Sequence, residues 1–175
     1  MKKHELTDDT ITVGGRILHR IKALKSFSDV EEGDLGGYVE KEDNLDHSGE
    51  AWVSGNARVY GDAWVSGDAR VYGNARVYGN AWVSGDAWVY GDARVSGDAR
   101  VSGENDYAAA KGFGREYRTT TFFRLQDGGI GVRCGCFCGT LEEFREKVKE
   151  THKESKMGKE YLMLADLMEY KFKNA

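Results

Sequence analysis

The pattern of apolar and polar positions is most regular in the middle of the chain, where a six-residue unit repeats nine times from Ala51 to Glu104. Each unit reads Ala, Arg or Trp, Val, Ser or Tyr, Gly, and then Asp, Asn or Glu. The first four positions alternate as in a strand with one buried face, and the last two tolerate a tight turn. Because unpaired guanidinium groups are costly to bury, we predict that Ala and Val point inward and that Arg, Trp, Ser and Tyr point outward.

The recurring Val-(Ser/Tyr)-Gly-(Asp/Asn)-Ala motif resembles that of the hexapeptide-repeat proteins. This resemblance implies a left-handed parallel β-helix of triangular section, with three units in each coil and usually three subunits in the assembly. The nine regular units amount to three coils, and weaker units at 39–44 and 45–50 extend the expected helix to between three and four coils. The regular part covers about a third of the chain.

In such a helix, units three apart stack on one face, so the outward side chains form three columns. The first column contains Trp52, Arg70 and Trp88, which we expect to form a cation–π stack. The second contains Arg58, Arg76 and Arg94, flanked by Tyr60 and Tyr78. The third contains Trp64, Trp82 and Arg100. All four tryptophans are therefore expected on the outside of the helix.

Outward aromatic rings in such number indicate either an interface or a ligand-binding surface. Burial between the subunits of a trimer is one interpretation, and contact with a ligand is the other. Stacked arginines repel one another unless anions lie between them, so we expect Asp62, Asp68 or a bound phosphate beside the second column. Arg beside Tyr or Trp suits an anionic ring system such as a nucleotide. The candidate ligand-binding residues are Arg58, Arg76, Arg94, Tyr60, Tyr78, Arg70, Trp52 and Trp88.

The segments on either side of the repeat have different patterns. At the N-terminus, Ile11–Val13, a Gly14-Gly15 turn and Arg16–Leu24 predict a hairpin, and residues 1–44 are expected to cap a β-helix at 45–104. Residues 105–118 are expected to form a linker. Residues 119–175 predict a small ββαα unit, in which Thr140 and Glu143 form a capping box and a second helix covers about residues 159–172. The fold class predicted is therefore mainly β.

Composition excludes several classes of function. The chain has 23 glycines, no proline and a formal net charge of −4, and this mildly acidic balance argues against general binding of duplex DNA. We expect a cytoplasmic protein without a membrane partner, since we find no 18-residue apolar run and no secretory leader. Cys134, Cys136 and Cys138 alternate, so their thiols are expected to lie buried on one side of a strand, and their spacing predicts no metal site.

An enzymatic function has little support in the residues. The resemblance suggests an acyltransferase with a histidine as general base, but none of the four histidines lies in a regular unit. His47 is expected at an inward Val position, as a packed or capping residue. The segment Lys111–Arg115 places two glycines near two cations, although its spacing matches no usual phosphate loop. We predict no catalytic residue and no cofactor.

The segment LGGYVEKEDNL at 35–45, followed by regular units, also resembles accessory proteins of bacteriophages and prophages. Such proteins commonly bind host molecules, including nucleotide signals of host defence. Our leading hypothesis is a non-catalytic homotrimer that captures a small anionic ligand, such as a nucleotide immune signal, in the cytoplasm of the host cell. The alternatives are a structural or host-protein-binding module and a hexapeptide-repeat acyltransferase.

Overall fold

A computed structural model of the chain describes residues 2–174, and its central part is a β-solenoid of about four turns. An N-terminal hairpin precedes the solenoid, and a small sheet with two helices follows it. The first strands are β1 (His4–Val13), β2 (Arg16–Ala23) and β3 (Leu35–Val39). The repeat contributes β4 (Trp52–Val53), β5 (Arg58–Val59), β6 (Trp64–Val65), β7 (Arg70–Val71), β8 (Arg76–Val77), β9 (Trp82–Val83), β10 (Trp88–Val89), β11 (Arg94–Val95) and β12 (Arg100–Val101). The C-terminal elements are β13 (Tyr107–Ala110), β14 (Thr120–Arg124), β15 (Ile130–Cys134), β16 (Phe137–Thr140), α1 (Leu141–His152) and α2 (Lys156–Lys173).

The strands of the solenoid form three faces, each a parallel sheet in which every third strand is a neighbour. We call the sheet of β3, β5, β8 and β11 the arginine face, because it carries the column Arg58, Arg76 and Arg94. The sheet of β4, β7 and β10 is the groove face. The sheet of β6, β9 and β12 is the third face. This arrangement confirms the predicted β-helix with three units in each turn.

The interior of the solenoid is filled by the Ala and Val positions of the repeat. Every Ala and Val of the nine units, from Ala51 to Val101, has 1% or less of its surface exposed. Burying one Val side chain fully is worth about 1.5 kcal/mol or more, so the repeated alternation provides most of the hydrophobic stabilisation of this part. The predicted inward orientation is confirmed.

The corner glycines are required because successive corners stack on one another. Gly67 has a φ of +65°, a left-handed conformation that L side chains rarely adopt. A Cβ atom at this position would also lie 3.0 Å from the backbone nitrogen of Gly85 in the next turn. The repeat therefore tolerates no side chain at such a corner without a shift of the backbone.

The first turn departs from the regular spacing, and His47 is not where we expected it. Leu45, with 1% of its surface exposed, pairs with Val65 and fills the inward position. His47 is half-buried at the following corner, where its ring stacks on His4 with centroids 4.2 Å apart. The predicted inward Val position of His47 is therefore wrong, because the first corner is two residues longer, but the residue does pack against the N-terminal strand.

The N-terminal hairpin extends the arginine face. β1 and β2 pair antiparallel around Gly14 and Gly15, as predicted, and β1 begins earlier than expected, at His4. β2 then pairs antiparallel with β3, and β3 pairs in parallel with β5. The hairpin thus continues the sheet and covers the backbone edge that β3 would otherwise expose.

The C-terminal unit has more strands than predicted. β13 pairs antiparallel with β14, within a four-stranded sheet that continues through β15 to β16. The segment expected as a linker therefore contains a strand. The predicted capping box of α1 is confirmed: the Thr140 hydroxyl accepts from the Glu143 backbone at 3.2 Å, and the Glu143 carboxylate accepts from the Thr140 backbone at 2.8 Å.

The three cysteines do not share one face of a strand. Cys134 ends β15 and pairs with Phe137 of β16, so Cys136 lies in the turn between the two strands. Cys134 is half-buried, whereas Cys136 and Cys138 are exposed. The prediction of three buried thiols on one side is therefore wrong, because a tight turn at Gly135, with a φ of +58°, reverses the chain between them.

Candidate functional site

The arginine face presents a column of guanidinium groups. Strand pairing places Arg58 beside Arg76 and Arg76 beside Arg94, each in register. Neighbouring strands of a sheet lie about 4.8 Å apart, so the three side chains leave the sheet close together. All three are half-buried. The structure thus brings together the second predicted column.

A fourth arginine reaches this column from the C-terminal sheet. The guanidinium carbon of Arg133, on β15, lies 5.6 Å from the centroid of the Tyr78 ring. Arg133 is half-buried, and its Nε atom is buried without a hydrogen-bond partner. Sequence reasoning missed this residue, because nothing in the local pattern of β15 indicates which face of the solenoid the strand covers.

Two tyrosines form the aromatic part of the same surface. The rings of Tyr60 and Tyr78 stack in parallel, with centroids 5.0 Å apart and planes 4° apart. Burial raises the pKa of the Tyr60 hydroxyl, and the nearby positive charges of Arg76, Arg133 and Arg58 oppose that increase. The hydroxyl therefore stays protonated at neutral pH and is able to donate a hydrogen bond to an anion.

The expected carboxylates do not lie between these arginines. Asp62 pairs with Lys41 at 2.9 Å, and Asp68 accepts a hydrogen bond from the Glu50 backbone at 3.2 Å. Within residues 2–174, no Asp or Glu oxygen lies within 4.0 Å of a guanidinium nitrogen of the four arginines of this cluster: Arg58, Arg76, Arg94 and Arg133. The Nε atom of Arg58 is also buried without a partner.

The last turn of this face has a cavity beside it. Its volume is about 320 Å³, and it is lined by the cations Arg94, Lys111 and Arg118 and by two carboxylates, of Asp92 and Glu116. Lys111 pairs with Asp92 at 2.9 Å, and Arg94 donates to the Gly135 carbonyl at 3.3 Å. The Lys111–Arg115 segment singled out in the sequence therefore lies next to the arginine column.

The first predicted column lies on the groove face and does not form a cation–π stack. Trp52 has 4% of its surface exposed, because the loop before β3 covers it and the Phe27 ring meets it edge-on at 5.5 Å. Arg70 forms an ion pair with Asp29 at 2.8 Å. Within the described part of the chain, no cation–π contact joins Arg70 to Trp52 or Trp88. Trp52 lies on the outside of the solenoid, as predicted, but the loop before β3 shields it from solvent.

A cation–π contact between an arginine and a tryptophan of the repeat occurs on the third face instead. The guanidinium carbon of Arg100 lies 4.5 Å from the ring centroid of Trp82, and the rings of Trp64 and Trp82 meet edge-on at 5.4 Å. Arg100 also donates to the Gln126 side chain at 2.9 Å. The Arg100 guanidinium group therefore has both an aromatic partner and a side-chain hydrogen-bond acceptor.

Among residues 2–174, no group of three or more His, Cys, Asp or Glu side chains has the arrangement of a metal site. No helix in the same range combines the length and the apolar character needed to span a membrane.

Comparison with known proteins bears on the repeat. The model of the YdcK beta solenoid repeat family matches residues 51–67, 69–85 and 87–103. Each match covers one turn of three units, in agreement with the three-sided arrangement of the strands. None of the curated proteins matches the chain. The chain is therefore a β-solenoid repeat protein, and its repeats are similar to those of the YdcK beta solenoid repeat family.

Proposed function

We propose that this protein is a non-catalytic, trimeric binding protein that captures a small anionic ligand on its arginine face. The observation that carries the proposal is the cluster of four half-buried arginines, Arg58, Arg76, Arg94 and Arg133, without a carboxylate partner. Neighbouring guanidinium groups that no carboxylate neutralises form a positive surface, and such a surface suits a ligand of opposite charge.

The energetic reason is mutual repulsion. Two unit charges about 5 Å apart at an effective dielectric constant near 20 repel by about 3 kcal/mol. The column contains consecutive arginines on adjacent strands, so this repulsion is repeated along the face. An anion bound among them replaces repulsion by charge-assisted hydrogen bonds, and a phosphate accepts two parallel N–H donors from one guanidinium group.

The stacked tyrosines favour an anion that also carries a ring. Tyr60 and Tyr78 are half-buried beside the arginines, and aromatic side chains hold bases by stacking. Arg118 lines the neighbouring cavity of about 320 Å³, whose three cations outnumber its two carboxylates. These features support a nucleotide as the ligand class.

The assembly and the origin belong to the same proposal. The resemblance to hexapeptide-repeat proteins supports a left-handed coil and a trimer. The resemblance of 35–45 and the repeat to phage and prophage accessory proteins supports a phage origin. In that setting the captured anion is a nucleotide signal of host defence.

The experiment is a binding screen on the full chain with linear and cyclic nucleotides, followed by calorimetry on each compound that raises the melting temperature. We expect the Arg58→Ala/Arg76→Ala variant to bind at least about tenfold more weakly, since it loses two charge-assisted contacts. The control variant Arg16→Ala/Lys22→Ala removes two cations from the hairpin and should bind as wild type. Light scattering on each variant checks that the trimer persists.

Two results would contradict the proposal. One is no binding across the nucleotide panel together with no small anion released from the denatured protein in mass spectrometry. The other is unchanged affinity in the Arg58→Ala/Arg76→Ala variant. The affinity should also fall at high salt, because salt screens a charge-driven interaction.

A structural or host-protein-binding module is the second candidate, and exposed aromatic rings favour it. Trp82 is 45% exposed, Trp88 49% and Tyr90 51%. Rings of this size on a surface are typical of protein interfaces. If this candidate is right, Trp82→Ala should disrupt assembly or partner binding, whereas the arginine variant should leave both unchanged.

A further inference from the structure

An aromatic cavity on the groove face is separate from the arginine face. Its volume is about 420 Å³, and four aromatic side chains line it, together with Glu104 and two alanines of β13. The four are Tyr72, Trp88, Tyr90 and Tyr107. The solenoid supplies three of these rings and β13 supplies the fourth, so the cavity exists only because the C-terminal sheet folds back on the last turn.

Two pairs of these rings meet at steep angles, and a third pair is nearly parallel. The ring of Tyr72 is at 83° to that of Trp88, with centroids 6.2 Å apart. The ring of Tyr90 is at 73° to that of Tyr107, with centroids 6.3 Å apart. The rings of Tyr72 and Tyr90 stack nearly in parallel, with planes 17° apart and centroids 5.4 Å apart. These two rings therefore form one wall of the cavity, and the rings of Trp88 and Tyr107 stand at steep angles to it. Each ring face carries the negative lobe of its quadrupole.

The charges around this cavity are also negative. Glu104 is exposed and makes no ion pair within residues 2–174, and no Lys or Arg lines the cavity. Arg70, the arginine in the outward column of the groove face, is paired with Asp29 at 2.8 Å. Anions are therefore disfavoured here, and a cation gains both from the ring faces and from the carboxylate.

We infer that this cavity binds an organic ammonium group, quaternary or methylated. Such a cation is bulky and weakly hydrated, so little hydration is lost when aromatic faces surround it. Trp88 is 49% exposed, which leaves its ring accessible to a ligand. A larger cavity of about 650 Å³ adjoins this one through the shared residues Tyr72 and Trp88, and it has room for the rest of the molecule that bears the ammonium group.

The test compares choline with 3,3-dimethylbutan-1-ol, which has the same shape without the charge. Titrations of the full chain are followed by nuclear magnetic resonance of the small molecule. We expect choline to bind at least about tenfold more tightly than the alcohol, since the cation–π attraction is lost without the charge. Glu104→Gln should weaken choline binding about threefold or more, and Trp88→Leu about tenfold.

The chain offers a matched control for the tryptophan. Trp82 occupies the same position of its repeat unit and is 45% exposed, but it lies on the third face. Trp82→Leu should therefore leave choline binding unchanged, and circular dichroism checks that each variant is folded. Equal affinity for choline and the neutral alcohol, no binding of choline by the wild type, or an equal loss in Trp82→Leu and Trp88→Leu would overturn the inference.

Discussion

Acid should weaken the N-terminal cap of the solenoid through one histidine. His4 is fully buried, its ring stacks on His47 at 4.2 Å, and neither of its ring nitrogens has a hydrogen-bond partner. Burial, followed by the positive charges of His47 and Lys3, lowers the pKa of His4 from 6.5 to about 4. Glu42 acts in the opposite direction but does not offset these effects. The folded protein therefore holds this ring neutral.

The size of the effect follows from the two pKa values. Between about pH 4 and about pH 6.5 the unfolded chain binds the proton and the folded chain does not, so the free energy of unfolding rises with pH across this window. Lowering the pH from about 7.5 to about 5 should reduce the free energy of unfolding by about 2 kcal/mol. Below about pH 4 the loss from this group is complete, at about 3 kcal/mol.

Urea denaturation at both pH values measures this loss, with His4→Phe as the comparison. Phenylalanine keeps a ring against His47 and sacrifices no hydrogen bond, so the variant should be at least as stable as wild type near pH 7.5. Its unfolding free energy should change by less than about 0.5 kcal/mol between the two pH values. An equal change in wild type and variant would refute the assignment to His4.

Two further predictions concern the backbone of the solenoid. Gly67→Ala should lower the unfolding free energy by about 1 kcal/mol more than Gly91→Ala. Both glycines have a left-handed φ, +65° and +66°, but only at Gly67 would a Cβ atom lie 3.0 Å from the next corner. Equal losses in urea denaturation would show that the stacking of corners does not cause the loss of stability. Asn44→Ala should lower the unfolding free energy by about 2 kcal/mol. The buried Asn44 amide donates to the carbonyls of Gly61 at 3.1 Å and Ala63 at 2.8 Å, and the substitution removes both hydrogen bonds. Asn56→Ala removes one exposed side-chain hydrogen bond of 3.5 Å, so it should lower the unfolding free energy by less than about 0.5 kcal/mol in urea denaturation. A similar loss in both asparagine variants would argue against the buried bonds.

The solenoid could be predicted because residues close together in the sequence define each of its strands and corners. The alternation of Ala and Val with polar residues defines the buried face, and Gly before Asp or Asn defines the corner, so the period alone places each strand. The stacking of units three apart then placed Arg58 beside Arg76 and Arg94, as the strand pairing confirms.

The composition of each site was not predictable in the same way. Arg133 and Tyr107 reach the solenoid from strands whose sequences do not indicate where they pack. The loop that buries Trp52 and supplies Asp29 to Arg70 lies far from both in sequence. Two residues in equivalent units, Trp52 and Trp88, thereby have opposite environments, one buried and one exposed.

The amino-acid sequence by itself determined the repeat, its inward and outward positions and the three outward columns, because a period of six residues depends only on backbone geometry and on local burial. The tertiary structure decided which columns remain open. The loop between β2 and β3 covers the beginning of the groove face, and the C-terminal sheet adds Arg133 to one face and Tyr107 to another. Those contacts depend on how distant segments pack on the solenoid, and a repeating pattern that is the same in every turn contains no information about them.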